Sequence, residues 1–201
     1  MLNPRVRAIL QQNLNWIVIA AFFFGVGIAA AVLFIGNEKL FLGDLTASQH
    51  KMLEELAELV FGGSPLRGIL FLLINNLMAS LQMMLLGVIM GIPPLLGLFT
   101  NGALLGSVAS LSAERFPVIS FILLGILPHG IFELPAFIIS AAFGLKVGFH
   151  LIFPLSGKKR GESLVTIWRE YWSVFPLILN LLILAAIFEV LVTPLFLNQL
   201  L

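Results

Sequence analysis

The residues best able to do chemistry in this sequence stand in "LPHGIFELPAF", residues 127–137, where His129 and Glu133 lie four apart between Pro128 and Pro135. A third candidate, Glu189, sits alone in a late apolar run. On a helix, residues four apart share a face, so the imidazole and the carboxylate can hydrogen-bond to each other. The pair supplies two metal ligands where a zinc site asks for three or four. The HExxH pattern of a zincin is absent, so neither a metal nor a cofactor is expected. No catalytic residue is assigned: there is no cysteine, no GxSxG turn, and no serine that the sequence places beside His129. His50 and His150 are expected on opposite sides of the membrane, which keeps them from joining His129 together. Two readings stay open. In one, His129 and Glu133 form a polar staple, bonded to Asn75, Asn76, Gln82 and Asn101 and to the carbonyls freed by the helix break at Pro128, Gly130 and Pro135. In the other, His129, Glu133 and Glu189 form a relay of the kind that proton-coupled transporters build in broken helices.

What must position these groups is a membrane fold. Of the 201 residues, 60% are hydrophobic and only 10% charged, with a mean hydropathy of +1.08. Soluble domains carry about 25% charged residues, and a soluble fold this small has no interior large enough for so many apolar side chains. The net charge of +1, with no continuous basic stripe, argues against a nucleic-acid partner. The expected fold is an all-α membrane protein of about five transmembrane helices, one broken at Pro128–Gly130, with short interfacial amphipathic helices. It forms a single polytopic domain over residues 1–201.

Along the chain, "NPRVRAILQQNLN" reads as a short amphipathic foot, followed by a first span from Trp16 to Gly36. This span is too long for a signal-peptide core and is expected to be retained. Residues 37–67 read as an outer loop. Within it, Thr46 and Gln49 take capping-box spacing, Met52, Leu53, Leu56, Leu59 and Val60 share a face, and Gly62–Gly63 ends an amphipathic helix. Two spans follow from Gly68 to Leu111, separated by a turn at Gly91–Pro94. The pairs Gly87/Gly91 and Gly102/Gly106 have the spacing of close helix packing, which permits self-association without specifying it. Asn75, Ala79 and Gln82 share one helical face. The run 116–155 is too long for one straight crossing and too short for two. Residues 156–173 read as an inner loop with an interfacial helix whose face carries Leu164, Val165, Trp168, Tyr171 and Trp172, and the last span runs from about Phe175 to Leu197.

Charge chooses the topology. With five crossings and the N-terminus inside, Arg5, Arg7, Lys146, Lys158, Lys159, Arg160 and Arg169 fall inside, and Lys39, Lys51, Arg67 and Arg115 outside. A re-entrant pair within 116–155 would reverse this bias, so a single broken crossing is expected. The cytoplasmic membrane, with a cytoplasmic N-terminus and an external C-terminus, is the implied location.

Three segments, "INNLMASLQ", "LFTNGALLGSVAS" and "LPHGIFELPAFIISAAFGLKVG", resemble in order the stage II sporulation protein M family of multi-pass membrane proteins over roughly residues 68–150. The resemblance maps onto Asn75, Asn76, Asn101, Gly102, Pro128, His129, Gly130, Glu133 and Pro135. It implies a polytopic membrane protein. In spore formers, the family's namesake anchors a complex with peptidoglycan-degrading enzymes, although the family extends to cells without peptidoglycan. The function expected from the whole sequence is a non-enzymatic scaffold that contacts membrane lipids and recruits protein partners. The alternative is a small-solute, lipid or proton-coupled transporter, or an intramembrane enzyme, that uses His129 and Glu133.

Overall fold

The protein is seen as a computed structural model that describes residues 3–34, 62–112 and 117–197. The described residues are helical throughout their regular structure, with no strand among them. Five helical stretches are long and apolar enough to cross a membrane: Leu14–Leu33, Pro65–Val88, Ile92–Ser110, Val118–Ile152 and Arg160–Phe196. The protein is a multi-pass all-α membrane protein. The amphipathic helix expected at residues 46–61, within the loop 37–67, lies outside the described residues.

The foot is helix α1, Pro4–Gln12. Its N-cap Asn3 accepts a hydrogen bond from Arg5 N–H at 3.0 Å, and Pro4 opens the helix where no N–H is needed. The first span is α2, Leu14–Phe34. The second is α3, Pro65–Leu85, which starts at a proline just beyond Gly62–Gly63. A tight turn follows, with a 3₁₀ segment at Leu86–Val88 and positive φ at Met90 (50°) and Gly91 (73°). Helix α4, Ile92–Ser112, then begins with Pro93 and Pro94 in its first turn. The turn expected at Gly91–Pro94 is therefore present. Gly91 takes the left-handed conformation that only glycine adopts without penalty, and the prolines stand where a helix has unused donors.

Within the run 116–155, residues 118–152 form one continuous helical stretch rather than a re-entrant pair. It consists of α5, Val118–Phe121, a π-helical segment (π1) at Ile122–Ile126, and α6, Leu127–Ile152. The irregularity thus lies one turn earlier than the break expected at Pro128–Gly130. Pro128 falls in the first turn of α6, where its missing N–H interrupts no α-helical bond, and only Pro135 lies inside the helix.

The last stretch also differs from expectation. Helix α7, Arg160–Ile187, continues through the segment expected as a separate interfacial helix within 156–173, then passes through a second π segment (π2), Phe188–Val192, into α8, Thr193–Leu197. Nothing between Ser173 and Phe175 breaks a helix, and Pro176 is carried within it. Of the five residues expected to share an interfacial face, Tyr171 is buried and Leu164 and Trp168 pack partly buried against the core. Ser163, Ile167, Tyr171, Val174, Ile178 and Leu182 point inward, while Val165 and Trp172 are exposed.

Helix α6 is the hub. Every residue from Ala141 to Gly148 is buried, so the helix is enclosed on all sides over two turns. One side packs Ala136, Ile139, Phe143 and Val147 against Met84 and the buried face of α7. The other packs Phe137, Ala141, Ala142 and Leu145 against Ala20, Phe24 and Leu98. Lipid tails are as apolar as these side chains, so close van der Waals fit, rather than exclusion of water, holds such helices together. Glycines provide that fit. A Cβ on Gly87 would lie 2.3 Å from the Gly144 carbonyl oxygen, and one on Gly148 would lie 2.1 Å from the Gly91 nitrogen. The Gly87/Gly91 pair therefore meets a second GxxxG pair, Gly144/Gly148, inside the same chain. Gly102 and Gly106 are likewise spent against the backbone of α2 at Phe24 and Ile28. These faces are already occupied within the chain and offer no surface to a second copy.

Candidate functional site

Helix α6 delivers His129 and Glu133 from its first two turns, and π2 delivers Glu189. One ligand atom from each of the three falls within 4.8 Å of the others. The three side chains are half-buried and line a chamber of about 370 Å³. Asn75, Asn76 and Ser80 of α3, Asn101 of α4 and Gly125 of π1 also line it, with Phe24, Leu134, Phe137 and Leu182 among its apolar walls. Every long helix of the bundle contributes to this wall. Among the described residues lining the chamber there is no lysine or arginine.

The expected polar groups thus largely converge, but through other bonds than expected. His129 and Glu133 share a face yet make no hydrogen bond to each other. His129 Nδ1 instead meets Thr193 Oγ1 at 3.1 Å, and Thr193 donates its hydroxyl to the Phe188 carbonyl at 3.2 Å. The amides also bond elsewhere. Asn75 Nδ2 donates to Asn76 Oδ1 at 3.3 Å, and Asn101 Nδ2 donates to the Gly97 carbonyl one turn back in its own helix at 2.8 Å. They face the chamber without bonding to the triad. Gln82 is exposed and does not reach the chamber, because it lies two turns beyond Asn75 on the same face of α3.

Both π segments border the site. π1 ends immediately before the helix turn that carries His129, and π2 contains Glu189. A π turn inserts one residue into the helical repeat, and such bulges collect at functional sites. At π2 the consequence is local. Thr193 N–H bonds to the Phe188 carbonyl five residues back, and the threonine hydroxyl reaches the same oxygen. Phe188 and Phe132 pack with ring centroids 5.0 Å apart, which pins π2 to α6.

The metal expectation changes with this geometry. HxxxE alone supplies two ligands, and the fold adds Glu189 as a third from an element 56 residues away in the chain. Thr193 was not anticipated at all. Its sequence signal is its spacing four residues after Glu189, which on a regular helix marks a shared face.

A second polar group, also not foreseen, lies at the α1 end of the bundle. Lys146 Nζ donates to Glu170 at 2.6 Å and to Asn13 Oδ1 at 2.7 Å. Asn13 Nδ2 in turn donates to Glu170 at 3.2 Å and to the Ile9 carbonyl at 2.8 Å. Three buried or half-buried groups on the α1–α2 junction, α6 and α7 therefore satisfy one another. The signal for it was a lone cation in "FGLKVG", in apolar surroundings and in need of a partner. His150 stands apart from His129. It packs against Trp16 and Phe149 and bonds to the Phe153 carbonyl at 2.8 Å.

The profile of the family described as "Stage II sporulation protein M" matches residues 20–194. The chain belongs to the stage II sporulation protein M family. It is also similar to an uncharacterized protein of Methanocaldococcus jannaschii, MJ0793, with 32% identity over 127 residues, covering 61% of this chain and 69% of that protein. No solved structure matches the chain. The family match takes in all five long helices, and with them both π segments, the triad and Thr193.

Proposed function

We propose that this member of the stage II sporulation protein M family is a transport-class membrane protein that binds a small cation in its intramembrane chamber. The observation that carries the reading is the convergence of His129, Glu133 and Glu189 on a chamber lined by three asparagines and bounded by all five long helices. Carboxylates within the bilayer are costly without a partner, and among the described residues no basic side chain lines this chamber. A bound cation supplies the missing charge, and the asparagine carbonyl oxygens offer it neutral ligands on the approach. In this reading the α1 end faces the cytoplasm, since Arg5, Arg7, Lys158, Lys159, Arg160 and Arg169 belong to α1, to α7 and to the loop before it. The C-terminus then lies outside.

The test is reconstitution into proteoliposomes, with cation-evoked current recorded across a panel of monovalent and divalent ions. Saturable current that disappears in the double variant Glu133→Gln/Glu189→Gln, with the helical fold retained, is expected. Equal current from wild type and double variant would remove the role.

Partner recruitment is a second reading. It draws on the family match and on a cleft of about 360 Å³ at the α1 end, ringed by Arg5, Lys158 and Arg169. Crosslinked capture from native membranes tests it. The reading predicts a near-stoichiometric protein partner that is lost on reversing these three charges, and recovery of the protein with lipid alone refutes it.

A further inference from the structure

We infer that the cation bound in the chamber is a divalent transition-metal ion, held by Nε2 of His129 and by carboxylate oxygens of Glu133 and Glu189. This rests on the transport reading's chamber and on the same three side chains, and adds, on three observations, which ion they hold.

The first is the state of His129. The Thr193 hydroxyl hydrogen is given to the Phe188 carbonyl, so Thr193 Oγ1 meets the imidazole as an acceptor. The tautomer consistent with that bond has the ring hydrogen on Nδ1 and the lone pair on Nε2. Metal-bound histidines are fixed in the same way, by a second partner on the other ring nitrogen that sets the tautomer and the ring plane.

The second is the composition and spacing of the donors. One nitrogen and two carboxylate oxygens make a mixed set suited to first-row divalent ions such as Zn²⁺, Mn²⁺ or Fe²⁺. The two carboxylates match the ion's charge. Ligands about 2.1 Å from a four-coordinate ion stand about 3.4 Å apart. The donors here fall within 4.8 Å of one another, so binding draws them together by up to roughly 1.4 Å. Asn75, Asn76 and Asn101 leave room for water or an amide oxygen in the remaining positions.

The third is the backbone. Glu189 and Thr193 belong to π2 and its first following residue, and π1 precedes the turn that carries His129. Two irregular segments, far apart in the chain, aim one ligand, one ligand's support and one ligand helix at the same point.

The experiment uses the full chain in phospholipid nanodiscs, titrated with Co²⁺, whose visible absorption reports nitrogen ligation and coordination number. The expected result is one Co²⁺ per chain, displaced by Zn²⁺. Binding is lost in His129→Ala, weakened at least tenfold in Glu189→Gln, weakened 10- to 100-fold in Thr193→Val, and unchanged in His150→Ala. If His129→Ala does not fold, Glu189→Gln and Thr193→Val decide the matter. Three results would overturn the inference: no saturable Co²⁺ binding by wild type, binding unaltered in Glu189→Gln, or binding that follows His150 instead. Saturable Co²⁺ binding without current in proteoliposomes would keep the metal site and remove transport. Monovalent current without Co²⁺ binding would do the reverse.

Discussion

Replacing Gly144 with alanine isolates the contact that holds α6 against α3. The new Cβ would lie 2.1 Å from the Met83 carbonyl oxygen and 3.2 Å from Pro94 Cβ. A carbon and a backbone oxygen need more than about 3 Å, so α6 and α3 must part by roughly 1 Å in an interior packed at crystal-like density. Met83 presents backbone here, so no flexible side chain can move aside. Retreat is blocked as well, because α6 is buried on every side from Ala141 to Gly148. Overpacking costs about 1–3 kcal/mol where some relaxation is available. With relaxation blocked, the top of that range is expected, about 3 kcal/mol, or roughly a hundredfold fall in the folded-to-unfolded ratio. Gly25→Ala is the matched control, since nothing stands within 4 Å of a Cβ there. It should be neutral or stabilise by at most about 1 kcal/mol through helix propensity. Reversible unfolding in mixed micelles, followed by circular dichroism, measures both. If Gly144→Ala lies within about 0.5 kcal/mol of wild type, or the two variants shift stability alike, the close-packing account of the hub is wrong.

Other outcomes follow from the same structure. Lys146→Met leaves Glu170 without its cation in a site where the two side chains are only 9% and 21% exposed, and should cost about 3 kcal/mol in the same unfolding assay. The double variant Lys146→Met/Glu170→Leu should recover to within about 1 kcal/mol of wild type, because removing both charges removes the desolvation cost as well. Met90 holds a left-handed φ of 50° beside Gly91, so Met90→Asn, which tolerates that conformation better, should raise the unfolding midpoint by an amount worth less than about 1 kcal/mol. Asn75→Ala loses only an exposed 3.3 Å bond to its neighbour. It should leave stability within about 0.5 kcal/mol of wild type while lowering any cation current through the chamber.

Much of the architecture follows from local composition. Apolar runs of about 20 residues must be spanning helices in a bilayer, so the number of spans and the turn at Gly91–Pro94 are legible from the residues alone. So is the capped foot at Asn3–Pro4. The candidate residues are legible too, since His129, Glu133 and Glu189 are conspicuous in apolar surroundings and need a reason to be there.

What the residues did not reveal depends on contacts between distant segments. Periodicity says which residues share a face but not what that face meets. For that reason the expected face of α7 is split, with Tyr171 buried on the Ile167–Val174 line and Val165 and Trp172 exposed. The Gly87/Gly91 pair finds Gly144/Gly148 for the same reason, as Lys146 finds Glu170 and Asn13. The π segments were equally invisible, because an inserted residue is stabilised by packing such as Phe132 on Phe188 and leaves no composition of its own. Chain order alone made HxxxE an incomplete ligand pair. The crossing of α6 with the end of α7 brings Glu189 in as the third donor and sets Thr193 against the far side of the imidazole.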